Sequence, residues 1–251
     1  MRIVYVVPGL MDPNEVARRG NLLQEWAFEG TKADIVCVPE GPASIESMYE
    51  EYLSIPATAK LMVDLEKKGY DAAILGCAGD PGLDAMRELT TSMTVIGPGQ
   101  TGMHAAAMMG HRFSLVTIAD SMIQSSYDMA YKAGVLQKLA SVVSVNIPVL
   151  ELMDNIEHSL QKIIAVCKTA IENDRTDAFV LGCMTMGFLN VAEDIEKAVG
   201  VPVVNPAKAC LKFAEAVVGC GLGHSKKAFA SPPKLSSGKV ASIDDLYIKG
   251  K

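Results

Sequence analysis

The chain alternates between two hydrophobic rhythms. Short apolar runs rich in Val, Ile, Leu and Ala are separated by longer segments whose apolar residues return every three or four positions. The short runs read as strands: RIVYVV (2–7), ADIVCVP (33–39), DAAILG (71–76), MTVIG (93–97), FSLVTI (113–118), SVVSVNIP (141–148), DAFVLG (177–182) and VPVVN (201–205). Runs of this kind suit strands covered on both faces. The longer segments, among them EVARRGNLLQEWAFEG, TGMHAAAMMG and NIEHSLQKIIAVCKTAIEND, carry the spacing of amphipathic helices. SSYDMAYKAGVLQKLA (125–140) reads as one more helix. This alternation predicts an α/β fold whose mainly parallel sheets are flanked by crossover helices.

The pattern also repeats itself. Asp71 to Cys77 matches Asp177 to Cys183 at an offset of 106, and Val95-Ile96-Gly97-Pro98 matches Val203-Val204-Asn205-Pro206 at an offset of 108. Upstream, RIVYVVPG and RFSLVTIAD correspond in position and character. An internal duplication is expected, giving two pseudo-symmetric lobes, each with a four-stranded sheet. The helix after each VxGP or VxNP is placed to cross to the other lobe, so residues 1–98 plus 207–251 form one lobe and 99–206 the other. From Gly223 onward the periodicity fades into Ser, Pro and Lys, as in a partly mobile tail laid over the surface.

Composition narrows the function. The hydrophobic fraction is 49% and the charged fraction 21%, ordinary globular values, and the net charge of −6 disfavours nucleic acid or an anionic membrane as partner. A small molecule is the better expectation. Pro8 and Gly9 interrupt the first apolar run too early for a signal peptide, and no run of about 18 apolar residues exists to span a bilayer. Six scattered cysteines without a CxxC pair favour reduced thiols in a cytoplasm over disulfides or zinc. There is no GxGxxG after the first strand, no P-loop and no HExxH, so neither metal nor cofactor is expected.

Cys77 and Cys183 stand at the exits of matching strands, where parallel sheets collect ligands. Residues able to open a helix follow each of them, and a helix N-terminus lowers a thiol pKa. Facing lobes would put the two thiols on opposite walls of one cleft. Inversion of a carbon next to a carbonyl needs a base on one face and an acid on the other, roles a thiolate and a thiol can exchange. Cys37, Cys167, Cys210 and Cys220 lack such partners and read as core. His104 and His111 read as helix or cap residues, His158 and His224 as solvent-facing. Asp80 reads as the cap of a helix starting near Pro81.

GPASIES (41–47), GCAGDPGLDAMREL (76–89), GPGQTGMHAAAMMGHRFSLVT (97–117), LGCMTMG (181–187) and GLGHSKKAFASPP (221–233) resemble the hydantoin and allantoin racemase branch of the aspartate/glutamate racemase superfamily. The resemblance runs from residue 1 to about 233. It implies a cofactor-independent racemase or epimerase of a cyclic ureide, a 5-substituted hydantoin or allantoin, that assembles as a homo-oligomer. By the same resemblance Cys77 and Cys183 are the acid/base pair. Ala78, Gly79, Met184 and Thr185 bind the substrate's carbonyl oxygens, and Pro8, Ile45 and Thr117 line the cleft. Three departures bear on the substrate: Met184-Thr185 replaces a small Ala-Gly, IADSMI follows Thr117, and the first loop is VPGLMDP. Alternatives are an Asp/Glu-type amino-acid racemase, a decarboxylase or cis-trans isomerase of a carboxylate, and a non-enzymatic binding protein built on the same lobe pair.

Overall fold

The computed structural model describes residues 1–246; residues 247–251, the end of the expected 207–251 segment, lie outside the described residues. Eight strands form two sheets of four. β1 (Arg2–Val7), β2 (Lys32–Cys37), β3 (Ala72–Leu75) and β4 (Thr94–Ile96) lie in the order β2-β1-β3-β4. β5 (Phe113–Thr117), β6 (Leu139–Ser144), β7 (Ala178–Leu181) and β8 (Val203–Val204) lie in the order β6-β5-β7-β8, the same order shifted by four. Every strand pair is parallel. The expected α/β architecture of two like units is therefore observed.

Helices cover both faces of each sheet. α1 (Pro13–Trp26), α2 (Met48–Lys67), α3 (Leu83–Leu89) and α4 (Pro98–Met109) fall in the first half. α5 (Ile123–Lys132), α6 (Ile156–Asp174), α7 (Met184–Phe188), α8 (Ala192–Val199) and α9 (Pro206–Gly219) fall in the second, and a single turn, α10 (Pro233–Ser236), lies in the tail. Alternate residues of β1 face opposite layers, Ile3, Tyr5 and Val7 toward α1 and α9, Val4 and Val6 toward α2 and α3. In the second sheet Phe113 and Leu115 face α4 and α5, while Val116 faces α6 and α8. α4 leaves β4 of the first sheet yet packs on β7 of the second, and α9 leaves β8 of the second yet packs on β3 and β4 of the first. The two helices also pack on each other.

The repeated Asp…Leu-Gly-Cys string has a physical reading. Asp71 accepts the N–H of Arg2 at the start of β1 (2.7 Å), and Asp177 accepts the N–H groups of His111 and Arg112 at the start of β5 (3.1 and 2.9 Å). Each aspartate thus ties the foot of its strand to the neighbouring one. At the other end Gly76 and Gly182 donate to Val6 O and Val116 O (2.8 and 2.7 Å). A Cβ at either glycine would collide with that same carbonyl, so only glycine lets the chain leave the sheet there. The next residue, Cys77 or Cys183, is the first beyond the sheet.

Several expectations are corrected. β6 ends at Ser144 rather than 148, because Asn146 turns left-handed (φ 49°) and Pro148 has no N–H to donate. The helix expected over 125–140 stops at Lys132, before Gly134 (φ 75°). The tail is anchored along the described part. His224, expected in solvent, is half-buried and sits 2.9 Å from Val95 N and 3.0 Å from Val95 O. Lys226 donates to the last carbonyls of α3, Arg87, Glu88 and Thr90 (2.9, 3.0 and 2.7 Å). Cys167 and Cys210 are core as expected, whereas Cys37 is half-buried and Cys220 is exposed at the end of α9.

Candidate active site

A cavity of about 590 Å³ opens where the carboxyl ends of both sheets meet. The exit of β1 gives it Pro8, β3 gives Cys77, Ala78 and Gly79, β5 gives Thr117, and β7 gives Cys183, Met184 and Thr185. Ile45 joins from the loop before α2. All nine residues singled out from the sequence therefore line one cavity. Contacts between the lobes close its sides: Ser121 Oγ donates to Glu46 O (3.2 Å), Val149 N donates to Glu46 Oε1 (3.2 Å), and Lys132 of α5 pairs with Asp84 of α3 (2.7 Å).

The two cysteines differ in local support. Cys183 is the N-cap of α7, without a side-chain cap bond, and the nearby N–H groups of Thr185 and Met186 and the Thr185 hydroxyl favour its thiolate. Cys77 instead enters two successive turns, closed by Asp80 N to Cys77 O and Leu83 N to Asp80 O (both 3.1 Å), with one N–H, that of Gly79, favouring its thiolate. The expected drop in thiol pKa is not found: burial pushes both thiols above their ordinary value, outweighing those N–H groups. Once formed, a thiolate in this setting is a stronger base than one in water.

Asp80 does not cap α3, whose N-cap is Gly82 with no side-chain bond. It adopts a left-handed backbone (φ 54°), and its carboxylate accepts from Gly99 N and Gln100 N (2.9 and 2.7 Å), capping α4 from the cysteine loop. The matching helix α9 is capped locally: Asn205 accepts from Ala207 N and Lys208 N (3.0 and 3.2 Å) and donates to Gly187 O (2.8 Å). Burial holds the Asp80 carboxyl up at about 6.

Residues beyond the sequence reading complete the walls. Arg19 of α1 is buried, its Nη2 3.1 Å from Thr185 Oγ1, its guanidinium 4.8 Å above the Phe188 ring and its Nε 2.6 Å from Glu15 Oε1. Glu51 of α2 is 6 % exposed and stands against Gly79. Burial, with Asp80 nearby, pushes its carboxyl up to about 7. Arg87 and, from the tail, Phe229 line the far end, the guanidinium 5.3 Å from the ring. Both Arg19 and Glu51 were visible in the helical phase. Arg19 falls on the buried stripe with Leu23 and Trp26, and Glu51 on that with Ser54, Thr58, Met62 and Leu65. Phe229 carried no such signal.

Two like α/β lobes that each bring a strand-end cysteine to one shared cleft define the architectural class. The family model for Asp/Glu/hydantoin racemase matches residues 21–214, and the chain belongs to that family. It is accordingly an isomerase of the racemase type. The chain is 34% identical over 230 residues to a hydantoin racemase of Pseudomonas sp. (strain NS671), covering 90% of this chain and 91% of that one. Among solved structures it is similar to an allantoin racemase from Klebsiella pneumoniae (TM-score 0.86, 30% identity, 93% and 94% of the two chains). It is also similar to one from Pseudomonas fluorescens (TM-score 0.84, 28% identity, 93% and 97%).

Proposed function

We propose that this racemase interconverts the mirror-image forms of a hydantoin-type cyclic ureide, with Cys77 and Cys183 exchanging the α proton. The carrying observation is that matching strands of the two lobes deliver both sulfurs to one cavity. A thiolate on one wall removes the proton and leaves a planar enolate. Backbone N–H groups after each cysteine, at Ala78, Gly79, Met184 and Thr185, hold the developing negative charge on oxygen. The thiol on the other wall returns a proton to the opposite face, so the cysteines end with roles exchanged. Pro8, Ile45 and Thr117 shape the cleft around the ring.

The charges support a neutral ureide over a carboxylate substrate, whether of an Asp/Glu-type racemase, a decarboxylase or a cis-trans isomerase. The one deeply buried guanidinium beside the cysteines is already engaged by Glu15, and the Glu51 and Asp80 carboxyls stand on the Cys77 side. The relatives named hydantoin and allantoin racemase support the same class. We take residues 1–98 plus 207–251 and 99–206 as the two lobes. The free cysteines suit a reducing cytoplasm, and among the described residues no helix is long and apolar enough to cross a membrane. Exposed Tyr49, Tyr52 and Leu53 along α2 support self-association, which sedimentation velocity checks.

The test is polarimetry with solvent deuterium uptake on a 5-substituted hydantoin and on allantoin. Cys77→Ala and Cys183→Ala are each expected to lose racemisation by about 10²–10⁴-fold, the usual worth of a positioned acid or base. Full racemisation by either variant sinks the two-cysteine reading.

A further inference from the structure

The mechanism above treats the two cysteines alike, and the surrounding charges do not. We infer that Arg19 and Glu51 polarise the empty site, so that Cys183 is the thiol that ionises first and Cys77 the one that keeps its proton. On the Cys183 side stands a buried cation: Arg19 hydrogen-bonds the hydroxyl of Thr185, two residues along, and favours negative charge on the sulfur. Thr185 and Met186 add two backbone N–H groups. The Cys77 side holds the opposite sign. Glu51 lies against Gly79, two residues along, and no hydrogen bond or ion pair quenches its carboxyl among the described residues. Asp80 adds a second carboxyl, and a single N–H, from Gly79, faces the sulfur.

Other charges temper the contrast without reversing it: Glu15 pairs with Arg19 (2.6 Å), and Arg87 and Lys132 stand near Asp80, while Tyr5 lies near both sulfurs. Burial of both sulfurs weakens the screening of nearby charge, so a cation beside one sulfur and a carboxylate beside the other act in the same direction. Arg19 and Glu51 are thus positioning residues that act through the thiols. The enantiomer presenting its proton to Cys183 meets the thiol that ionises first; the other waits for a proton to move between the sulfurs or through water. This deepens the proton-exchange reading and rests on it for its catalytic meaning, but its test needs no turnover.

The experiment is alkylation of the full-length protein without substrate by iodoacetamide, an uncharged reagent, with rates at each cysteine read by mass spectrometry at pH 7.5. Access alone favours Cys77, which is half-buried while Cys183 is 9 % exposed, so steric control and polarisation predict opposite orders. Cys183 is expected to label about tenfold faster, the effect of one pKa unit on thiolate population. Glu51→Gln, close in shape, should speed Cys77 and narrow the ratio, and Arg19→Met should slow Cys183. Labelling of Cys77 at an equal or greater rate, or an unchanged ratio in Glu51→Gln, overturns the inference. Because Arg19→Met also breaks the pair with Glu15, the Glu51 variant decides the matter should that protein misfold. Equal labelling beside intact deuterium uptake removes the polarisation alone; absent uptake in the unmodified enzyme removes the two-base reading itself.

Discussion

The loop after Cys77 and the turn after Cys183 leave the same framework and part company at once. Both begin with an aspartate tied to the neighbouring strand and a glycine pressed on its carbonyl. After Cys183 the chain enters α7 directly, and the N–H groups of its first turn favour negative charge on the sulfur. After Cys77 it spends Ala78 to Gly82 in two successive turns, whose Asp80 reaches away to cap α4. Duplication preserved what places a thiol, and divergence rewrote what surrounds it. The neighbours of each sulfur are where the two halves acquire different chemistry.

The comparison breaks most sharply at Gly79. A Cβ there would overlap the Glu51 carboxylate and lie 3.7 Å from the Cys77 sulfur. Gly79→Ala is expected to cut racemisation by about 100-fold, the scale of misplacing a catalytic group by an ångström, with little change in circular dichroism. On the other side Thr185→Ala adds no bulk but removes the hydroxyl bonded to Arg19, and should cost much less. Similar losses for both would show that this hydroxyl matters as much as the space at Gly79.

Glu51 provides a pH test. Its folded pKa, about 7, lies above the ordinary 4.5, so the folded chain holds this proton more tightly than the unfolded one. Stability should therefore fall as pH rises from about 4.5 to 7, with the cost fully present above 7. Glu51→Gln removes that cost and should gain about 2 kcal/mol relative to wild type between pH 5 and pH 8, read by denaturant titration at both. A constant difference across that range would contradict the burial of an ionised carboxyl here.

The caps give a closer contrast. Asp80→Ala and Asn205→Ala should each destabilise by about 1 kcal/mol, the ordinary worth of a side-chain cap. Only the former also disturbs a cysteine loop, so it should lower turnover as well. Smallest of all, Lys132→Ala removes an exposed ion pair to Asp84 across the cleft and should shift stability by under about 1 kcal/mol. A larger thermal shift would mean that this pair holds the lobes together.

The sheets were legible in the sequence because strands buried on both faces leave continuous apolar runs, and the thiols because duplication doubled their signal. Arg19 and Glu51 were not picked out, since charged residues on amphipathic helices ordinarily face water; only their phase, in step with Trp26 and Leu65, marks them as buried. Asp80 was assigned to the adjacent helix because capping is usually local, whereas its partners Gly99 and Gln100 lie about twenty residues on. Lys226 and Phe229 act on residues more than a hundred positions away, a relation no local rhythm encodes. The raised thiols follow from burial in the assembled cleft, which the helix-terminus argument alone did not weigh.

The exchange of helices between the lobes bears on how the protein is born. The face of β1 and β3 that carries Ile3, Tyr5 and Ile74 is covered in part by Cys210, Leu211 and Ala214 of α9. A growing chain therefore emerges from the ribosome with its first sheet made but this side covered by α1 alone until residue 219 is out. The first sheet thus waits half-covered while the whole second sheet is made, and the helix that closes it follows the last strand.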